Sequence, residues 1–105
     1  MAIIHVTKEN FQELINGEKP VLVDFFATWC GPCKMLSPIL EQLAEEVEQV
    51  SIAKCDIDEC MEIAQEFGIM SVPTLILFDK GQEVERAIGF RQKTQILEMI
   101  ESKVK

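Results

Sequence analysis

Cys30 and Cys33, separated only by one glycine and one proline, are the pair whose types and spacing most clearly permit chemistry. They follow the almost wholly apolar run VLVDFFAT at residues 21–28. A cysteine pair this close can form and break a disulfide, supply half of a metal site, or crosslink the fold. The rest of the sequence discriminates among these three uses.

Length and composition argue against a structural crosslink. The chain has 105 residues, of which 48% are hydrophobic, and we expect one domain over residues 1–105. Because a chain of this size buries about two thirds of its unfolded surface, its core needs no covalent support. We find no secretory signal and expect a cytoplasmic protein, and in a reducing compartment close cysteines are more often catalytic or metal-binding than structural.

The charge balance and the apolar runs exclude two further classes of protein. Ten basic residues against eighteen acidic ones give a net charge of −8, which argues against nucleic-acid binding. No apolar run approaches the length of about 18 residues that a membrane span requires. We therefore expect neither nucleic acid nor a membrane among the partners.

Hydrophobic periodicity predicts an α/β fold with the element order βαβαβα followed by ββα. Apolar runs on both alternating faces indicate central parallel strands, and Asp79-Lys80-Gly81 indicates a hairpin turn before an antiparallel end of the sheet. The predicted elements are strands within 2–6, 21–28, 50–57, 73–79 and 82–88, with helices after Thr7, from Pro32, after Asp58, and around 96–104.

Several finer features follow from the same patterns. We expect Thr7 and Asp58 to cap the first and third helices, and Pro38 to kink the second. Met35 and Met61 fall on the apolar sides of their helices, so both are expected in the core.

The cysteine motif lies where a central strand turns into the long helix, at the sheet edge where ligands bind in open α/β folds. Cys30 comes first, where backbone N–H groups and the helix dipole stabilise a thiolate, so we predict an exposed nucleophile there. Cys33, one turn deeper, is then the resolving thiol. Pro32 withholds one N–H from the thiolate, which favours the disulfide and makes the pair a reductant.

Asp24 interrupts the apolar strand six residues before Cys30. Burial raises the pKa of a carboxyl, so Asp24 could accept the proton of Cys33. The alternative is a buried structural carboxylate satisfied by Lys54 on the next strand.

Two further cysteines, Cys55 and Cys60, leave a zinc site open as a second hypothesis. Against it, the first pair begins a long helix, whereas zinc-ribbon cysteines lie on knuckle turns. Cys55 is expected in the core. Cys60 is expected to be partly exposed at a helix start, beside Asp58 and Glu59, whose charges oppose thiolate formation. We therefore favour no role for either cysteine, and an oxidation or dimerisation site at Cys60 is the alternative. His5 is expected to be structural.

The motifs VDFFATWCGPCK, AKCDID, SVPTLILFDKG and IGF, in this order, resemble the thioredoxin family over essentially the whole chain. The resemblance implies the thioredoxin fold, a mixed sheet with helices on both faces. It also implies a monomer that reduces protein disulfides, holds no bound cofactor beyond the Cys30–Cys33 disulfide, and is recycled by a thioredoxin reductase. A docking module without turnover remains the alternative, and the reductase could be NADPH-linked or ferredoxin-linked.

The resemblance also implies roles for individual residues. Cys30 attacks, Cys33 resolves, and Asp24 assists proton transfer with Lys54 as its neighbour. Pro73 is expected to be cis and to position the substrate. An apolar docking surface would comprise Trp29, Gly31, Pro32, Ile57, Val72, Ile88 and Gly89. The chain departs from the family pattern at Phe26, where many members carry tryptophan, and at Phe90, which could enlarge the docking surface.

Overall fold

A computed structural model describes residues 2–104, which contain five strands and four helices. The elements are β1 Ile4–His5, α1 Phe11–Ile15, β2 Val21–Phe26, α2 Gly31–Glu46, β3 Ser51–Asp56, α3 Met61–Glu66, β4 Thr74–Asp79, β5 Gln82–Ile88 and α4 Lys93–Lys103. This order confirms the predicted succession of strands and helices. Within residues 2–104, no helix is long and apolar enough to cross a membrane.

The five strands form one mixed sheet in the order β1-β3-β2-β4-β5. β3 runs parallel to both β1 and β2, whereas β4 runs antiparallel to β2 and to β5. β2 is therefore the central strand, with a hydrogen-bonded neighbour on each edge. This position explains why its sequence is apolar on both faces.

Alternate residues of β2 feed two separate cores, one on each face of the sheet. Val21, Val23 and Phe25 pack with residues of α1 and α3, while Leu22 packs with the leucines of α2 and the isoleucines of α4. Helices therefore cover both faces, as predicted. Asp24 falls on the α2 side because side chains of a strand alternate between faces.

Two positive-φ turns terminate elements next to the sheet. Lys80 and Gly81, with φ values of 53° and 82°, form the predicted hairpin turn between β4 and β5, and the Gly81 N–H donates to the Ile15 carbonyl at 2.7 Å. Gly68, with φ of 63°, ends α3 in a Schellman arrangement, in which the Ile69 N–H donates to the Ala64 carbonyl at 2.9 Å.

Both predicted helix caps are wrong. The Thr7 hydroxyl accepts from the Asn10 N–H at 3.1 Å, which closes a turn before α1 instead of capping the helix itself. At α3 the N-cap position is Cys60, with no side-chain cap hydrogen bond, and the carboxylate of Asp58 points elsewhere. Each side chain has a competing partner, which is the nearby Asn10 N–H for Thr7 and the Trp29 indole N–H, distant in sequence, for Asp58.

The two methionines assigned to the core are also exposed. Met35 is 64% and Met61 59% accessible. The buried stripe of α2 is formed by Leu36, Leu40 and Leu43, and Met35 lies about 100° around the helix axis from the first of them. The hydrophobic character of Met35 and Met61 therefore wrongly predicted that their side chains are buried.

Candidate active site

The chain turns sharply between the end of β2 and the start of α2, and this turn positions the cysteine pair. The Cys30 N–H donates to the Ala27 carbonyl at 3.2 Å, and Cys30 occupies the N-cap position of α2 in extended backbone geometry. Its Sγ accepts from the Cys33 N–H at 3.2 Å. Pro32, which lies between the two cysteines in the first turn, has no N–H. The Cys33 N–H is therefore the backbone donor that caps the Cys30 sulfur.

Cys30 and Cys33 are joined by a disulfide, with their Cα atoms 5.3 Å apart. The expected exposure of Cys30 is wrong, since Cys30 is 5% and Cys33 3% accessible. Ala27 and the partly buried Phe26 and Val72 pack around the pair. Position and not exposure therefore distinguishes the two sulfurs, because Cys30 caps the helix while Cys33 lies within its first turn.

The Val72–Pro73 peptide bond is cis, as the resemblance implies. This loop lies against the cysteines, since the Val72 carbonyl oxygen is 3.7 Å from Cys30 Sγ. The Gly89 N–H donates to the Pro73 carbonyl at 2.8 Å, and Ile88 pairs with Thr74 across β4 and β5. Strand pairing thus brings the ends of β4 and β5 beside the disulfide.

The residues expected to form a docking surface divide by exposure. Trp29 is 68% and Ile88 57% accessible, which are high values for large apolar side chains. Exposed with them are Gly31 and Pro32, and half-buried are Ile57, Val72 and Gly89. Phe90, in contrast, packs against the core beneath α2 and α4.

Asp58 is a residue of the site that sequence reasoning misassigned as a helix cap. Its carboxylate accepts from the Trp29 indole N–H at 3.0 Å, which holds the exposed ring beside the cysteines. A signal was present in the sequence, because Asp58 follows the carboxyl end of β3, the strand next to β2. Carboxyl ends of adjacent parallel strands meet at one edge of a sheet.

Asp24 is fully buried beneath α2, between Lys54 on β3 and Leu75 on β4. Neither of its carboxyl oxygens has a hydrogen-bond partner among the described residues. Burial raises the pKa of Asp24 to about 7, against a smaller opposing effect of the Lys54 charge. The expected rise is confirmed, and the carboxyl can exchange a proton near neutral pH.

Lys54 is a register neighbour of Asp24 but not its ion-pair partner in the structure. The Lys54 ammonium donates to the Ser37 hydroxyl at 2.8 Å and lies 4.5 Å from the centroid of the Phe26 ring. Because no hydrogen bond joins Lys54 to Asp24, the alternative of a carboxylate satisfied by Lys54 is wrong.

The two remaining cysteines are free thiols on the other side of the sheet. Cys55 is buried as predicted, but Cys60 is only 4% accessible, so its expected exposure is wrong. The Cys60 thiol donates to the Val6 carbonyl at 3.6 Å. Burial is the main cause that raises the pKa of Cys60, and it raises that of Cys55 to about 12, so both are poor nucleophiles.

The zinc hypothesis finds no support in this geometry. Cys30 and Cys33 lie on the α2 side of the sheet end, whereas Cys55 and Cys60 belong to the opposite core. Across residues 2–104, no three side chains of His, Cys, Asp or Glu converge as metal ligands would.

Comparison with known proteins agrees with the geometry. A family model described as Thioredoxin matches residues 2–102. A thioredoxin of Alicyclobacillus acidocaldarius is 51% identical over 96 residues, covering 90% of this chain and 91% of that protein. A thioredoxin of Staphylococcus saprophyticus is 47% identical over 102 residues, covering 96% and 97%.

A third relative combines two activities in its name. The bifunctional thioredoxin reductase/thioredoxin of Mycobacterium leprae is 49% identical over 96 residues. These residues are 90% of this chain but 21% of that protein.

The sheet order and the disulfide at the start of α2 define a thiol–disulfide oxidoreductase. With a family match over nearly all of its length, the chain belongs to the thioredoxin family. It reduces protein disulfides by dithiol–disulfide exchange through Cys30 and Cys33, and its redox group is this disulfide.

Asp24→Asn is expected to remove a pH dependence from stability. Because the pKa of Asp24 is about 7 when folded and near 3.8 ordinarily, the folded protein retains a proton that the unfolded chain releases. The associated stabilisation is complete below about pH 4 and is lost as pH rises to about 7, a few kcal/mol in all. Denaturant unfolding of the oxidised protein at pH 5 and pH 8 measures it.

The variant should therefore gain stability over wild type at pH 8 and much less at pH 5. Glu41→Gln, an exposed position on the same side of the sheet, should follow wild type because water solvates that group in both states. If the free energy of unfolding changed with pH in the same way in wild type and in Asp24→Asn, Asp24 would not be the group that causes the pH dependence.

Proposed function

We propose that this protein is a general reductant of disulfides in target proteins, acting as a monomer in the cytoplasm and recycled by a thioredoxin reductase. The observation that carries the proposal is the arrangement of the redox pair. Cys30 caps α2 below an exposed apolar rim, and the strand that leads into this turn carries a buried carboxyl, Asp24, whose pKa is raised to about 7.

The first half of the reaction uses Cys30. In the reduced protein its thiolate takes the N-cap position, where the Cys33 N–H and the helix dipole stabilise the negative charge. The thiolate attacks one sulfur of the target disulfide, so a bond forms between Cys30 and that sulfur. The bond between the two target sulfurs breaks, and the second target sulfur leaves as a thiolate that takes a proton.

The second half returns the protein to the disulfide form seen in the structure. Asp24, as a carboxylate, takes the proton of Cys33, and the Cys33 thiolate attacks Cys30 Sγ. The Cys30–Cys33 disulfide forms, and the remaining target sulfur leaves and is protonated. Two electrons pass from the dithiol to the target, and no other redox group takes part.

Target binding is assigned to the rim around the cysteines. Trp29 and Ile88 present exposed apolar surface, and the Val72 carbonyl near Cys30 can accept a hydrogen bond from an extended target backbone. Hydrogen bonds to the target backbone depend little on the side chains of the target, so targets of many different sequences can be recognised, as a general reductant requires.

Recycling requires an electron donor, and a thioredoxin reductase is the proposed one. The Mycobacterium leprae relative, whose name joins the two activities in one chain, supports this partnership. A reducing compartment follows from the direction of the reaction. The monomer is supported by the sheet edges, since β1 has two residues and β5 carries charged side chains.

The proposal predicts turnover driven by a purified NADPH-linked thioredoxin reductase. Wild type should accelerate NADPH oxidation in the presence of a disulfide-bonded model protein, whereas Cys30→Ser should abolish the acceleration. Cys60→Ser is the matched control, because Cys60 is equally buried but remote from the redox pair, and it should retain wild-type rates. Activity only with a ferredoxin-linked reductase would correct the electron source, and inactivity with both would leave a docking module.

The order of attack predicts which sulfur is trapped. Cys33→Ser lacks the resolving thiol, so target proteins should remain attached through Cys30 and be detected as mixed disulfides on non-reducing gels. Asp24→Asn keeps both thiols but lacks the proton acceptor, and the lifetime of its mixed disulfide should lengthen by about 10- to 100-fold. Peptide mapping that located the target on Cys33 would reverse the assignment.

The docking surface predicts that Ile88→Asp weakens recognition of proteins without altering the chemistry. Loss of a buried apolar contact should raise KM for a protein disulfide about tenfold or more, with kcat little changed. A small dithiol as electron donor keeps reductase binding out of the measurement. Met61→Asp, at a methionine of nearly equal exposure on α3, provides a control of the same added charge. Equal effects of both variants would show that charge and not docking is responsible.

A further inference from the structure

Ser37 makes a contact that neither the sequence pattern nor the proposed mechanism uses. It lies on α2 four residues after Cys33, and therefore on the same side of the helix. The Lys54 ammonium donates to its hydroxyl at 2.8 Å, and the hydroxyl is 3.5 Å from the Cys33 carbonyl oxygen, at the long limit for donation. A polar link thus joins β3 to the first turns of the helix that carries the redox pair.

The other surroundings of Lys54 would draw its ammonium away from Asp24. A cleft beside it is lined by the charged or titratable side chains His5, Lys8, Glu9, Asp56, Glu59 and Cys60. Three of these are carboxylates, and the cleft opens to water. A lysine side chain that is free to rotate moves its ammonium toward water and toward such carboxylates.

The surroundings of Asp24 are otherwise apolar or weakly ionised. Leu22 and Phe26 flank it on β2, and Leu75 pairs with it on β4. The buried residues of α2 are apolar except for Cys33, which is held in the disulfide. The Cys55 thiol interacts with it electrostatically from β3. Lys54 is the only described group that opposes the effect of burial on the Asp24 carboxyl.

We propose that Ser37 is a positioning residue that holds the Lys54 ammonium against α2, within electrostatic reach of Asp24 and out of the neighbouring cleft. The expected effect on the reaction rests on the proposed proton-transfer role of Asp24. The placement of the Lys54 ammonium by Ser37 does not depend on that role. In this arrangement the serine hydroxyl acts through Lys54 to set how readily Asp24 gives up its proton.

Removal of the hydroxyl should raise the proton affinity of Asp24. In Ser37→Ala the ammonium is released toward the cleft, the carboxylate loses its cationic neighbour, and the affinity for the proton should rise about two- to fivefold. Because the pKa of Asp24 is about 7, the carboxylate fraction at pH 7 falls, and resolution of the mixed disulfide by Cys33 should slow by about 1.5- to threefold. Alanine favours helix, so the variant should fold.

Carboxyl carbon NMR titration of Asp24 in the oxidised, full-length protein gives the direct test. Ser37→Ala and Lys54→Met should both raise its pKa, and Ser37→Thr, which keeps a hydroxyl, should restore the wild-type curve. The double variant Ser37→Ala with Lys54→Met should titrate as Lys54→Met alone, because Ser37 acts only through Lys54. Ser102→Ala, on the exposed side of α4, controls for loss of a hydroxyl elsewhere.

The outcomes separate this inference from the proposed function. An unchanged or lowered pKa of Asp24 in Ser37→Ala, or additive effects in the double variant, would overturn the positioning role. If Asp24→Asn resolved mixed disulfides at the wild-type rate, the proton-transfer role would fail instead, while the titration result would still decide the role of Ser37.

Discussion

The complete enclosure of β2 is the constraint on which the rest of the structure depends. Strands pair with both of its edges and helices cover both of its faces, so every side chain up to Phe25 is excluded from water. Two consequences follow from this one fact. A carboxyl at Asp24 must lose its hydration, and the chain that leaves the end of the strand must turn into α2 at the sheet edge. The buried carboxyl thereby lies on the strand that leads directly into the redox pair.

The enclosure of Asp24 lowers the stability of the fold, and the same burial raises the pKa of its carboxyl. An unpartnered buried carboxyl opposes folding when it is charged, and the folded protein therefore keeps its proton to higher pH. The proposed proton exchange with the Cys33 thiol near neutral pH requires a raised pKa of this kind. A closer approach of Lys54 would relieve the cost but would hold the carboxylate permanently charged. In the structure the Lys54 ammonium instead donates to the Ser37 hydroxyl.

Sequence patterns that depend on neighbouring residues in the chain correctly predicted the central strand and the hairpin. The alternation of apolar residues identified β2 as central, and the Asp79-Lys80-Gly81 sequence identified the hairpin, because both reflect local backbone preferences. Two of the errors concern partners distant in sequence. Asp58 has the composition of a cap, yet Trp29, 29 residues away, competes for its carboxylate. Cys60 lies beside acids, yet β1 and the loop after it cover its thiol.

By itself, the sequence determined the element order, the cysteine spacing, the position of Cys30 at a helix start and the presence of a carboxyl in a buried strand. These follow from periodicity and helix-end chemistry, which act over a few residues. Only the tertiary structure decided that both sulfurs are covered, that Lys54 binds Ser37 and not Asp24, and that Asp58 holds Trp29. Such contacts depend on which strands and helices become neighbours, because a side chain takes the best partner within reach in three dimensions.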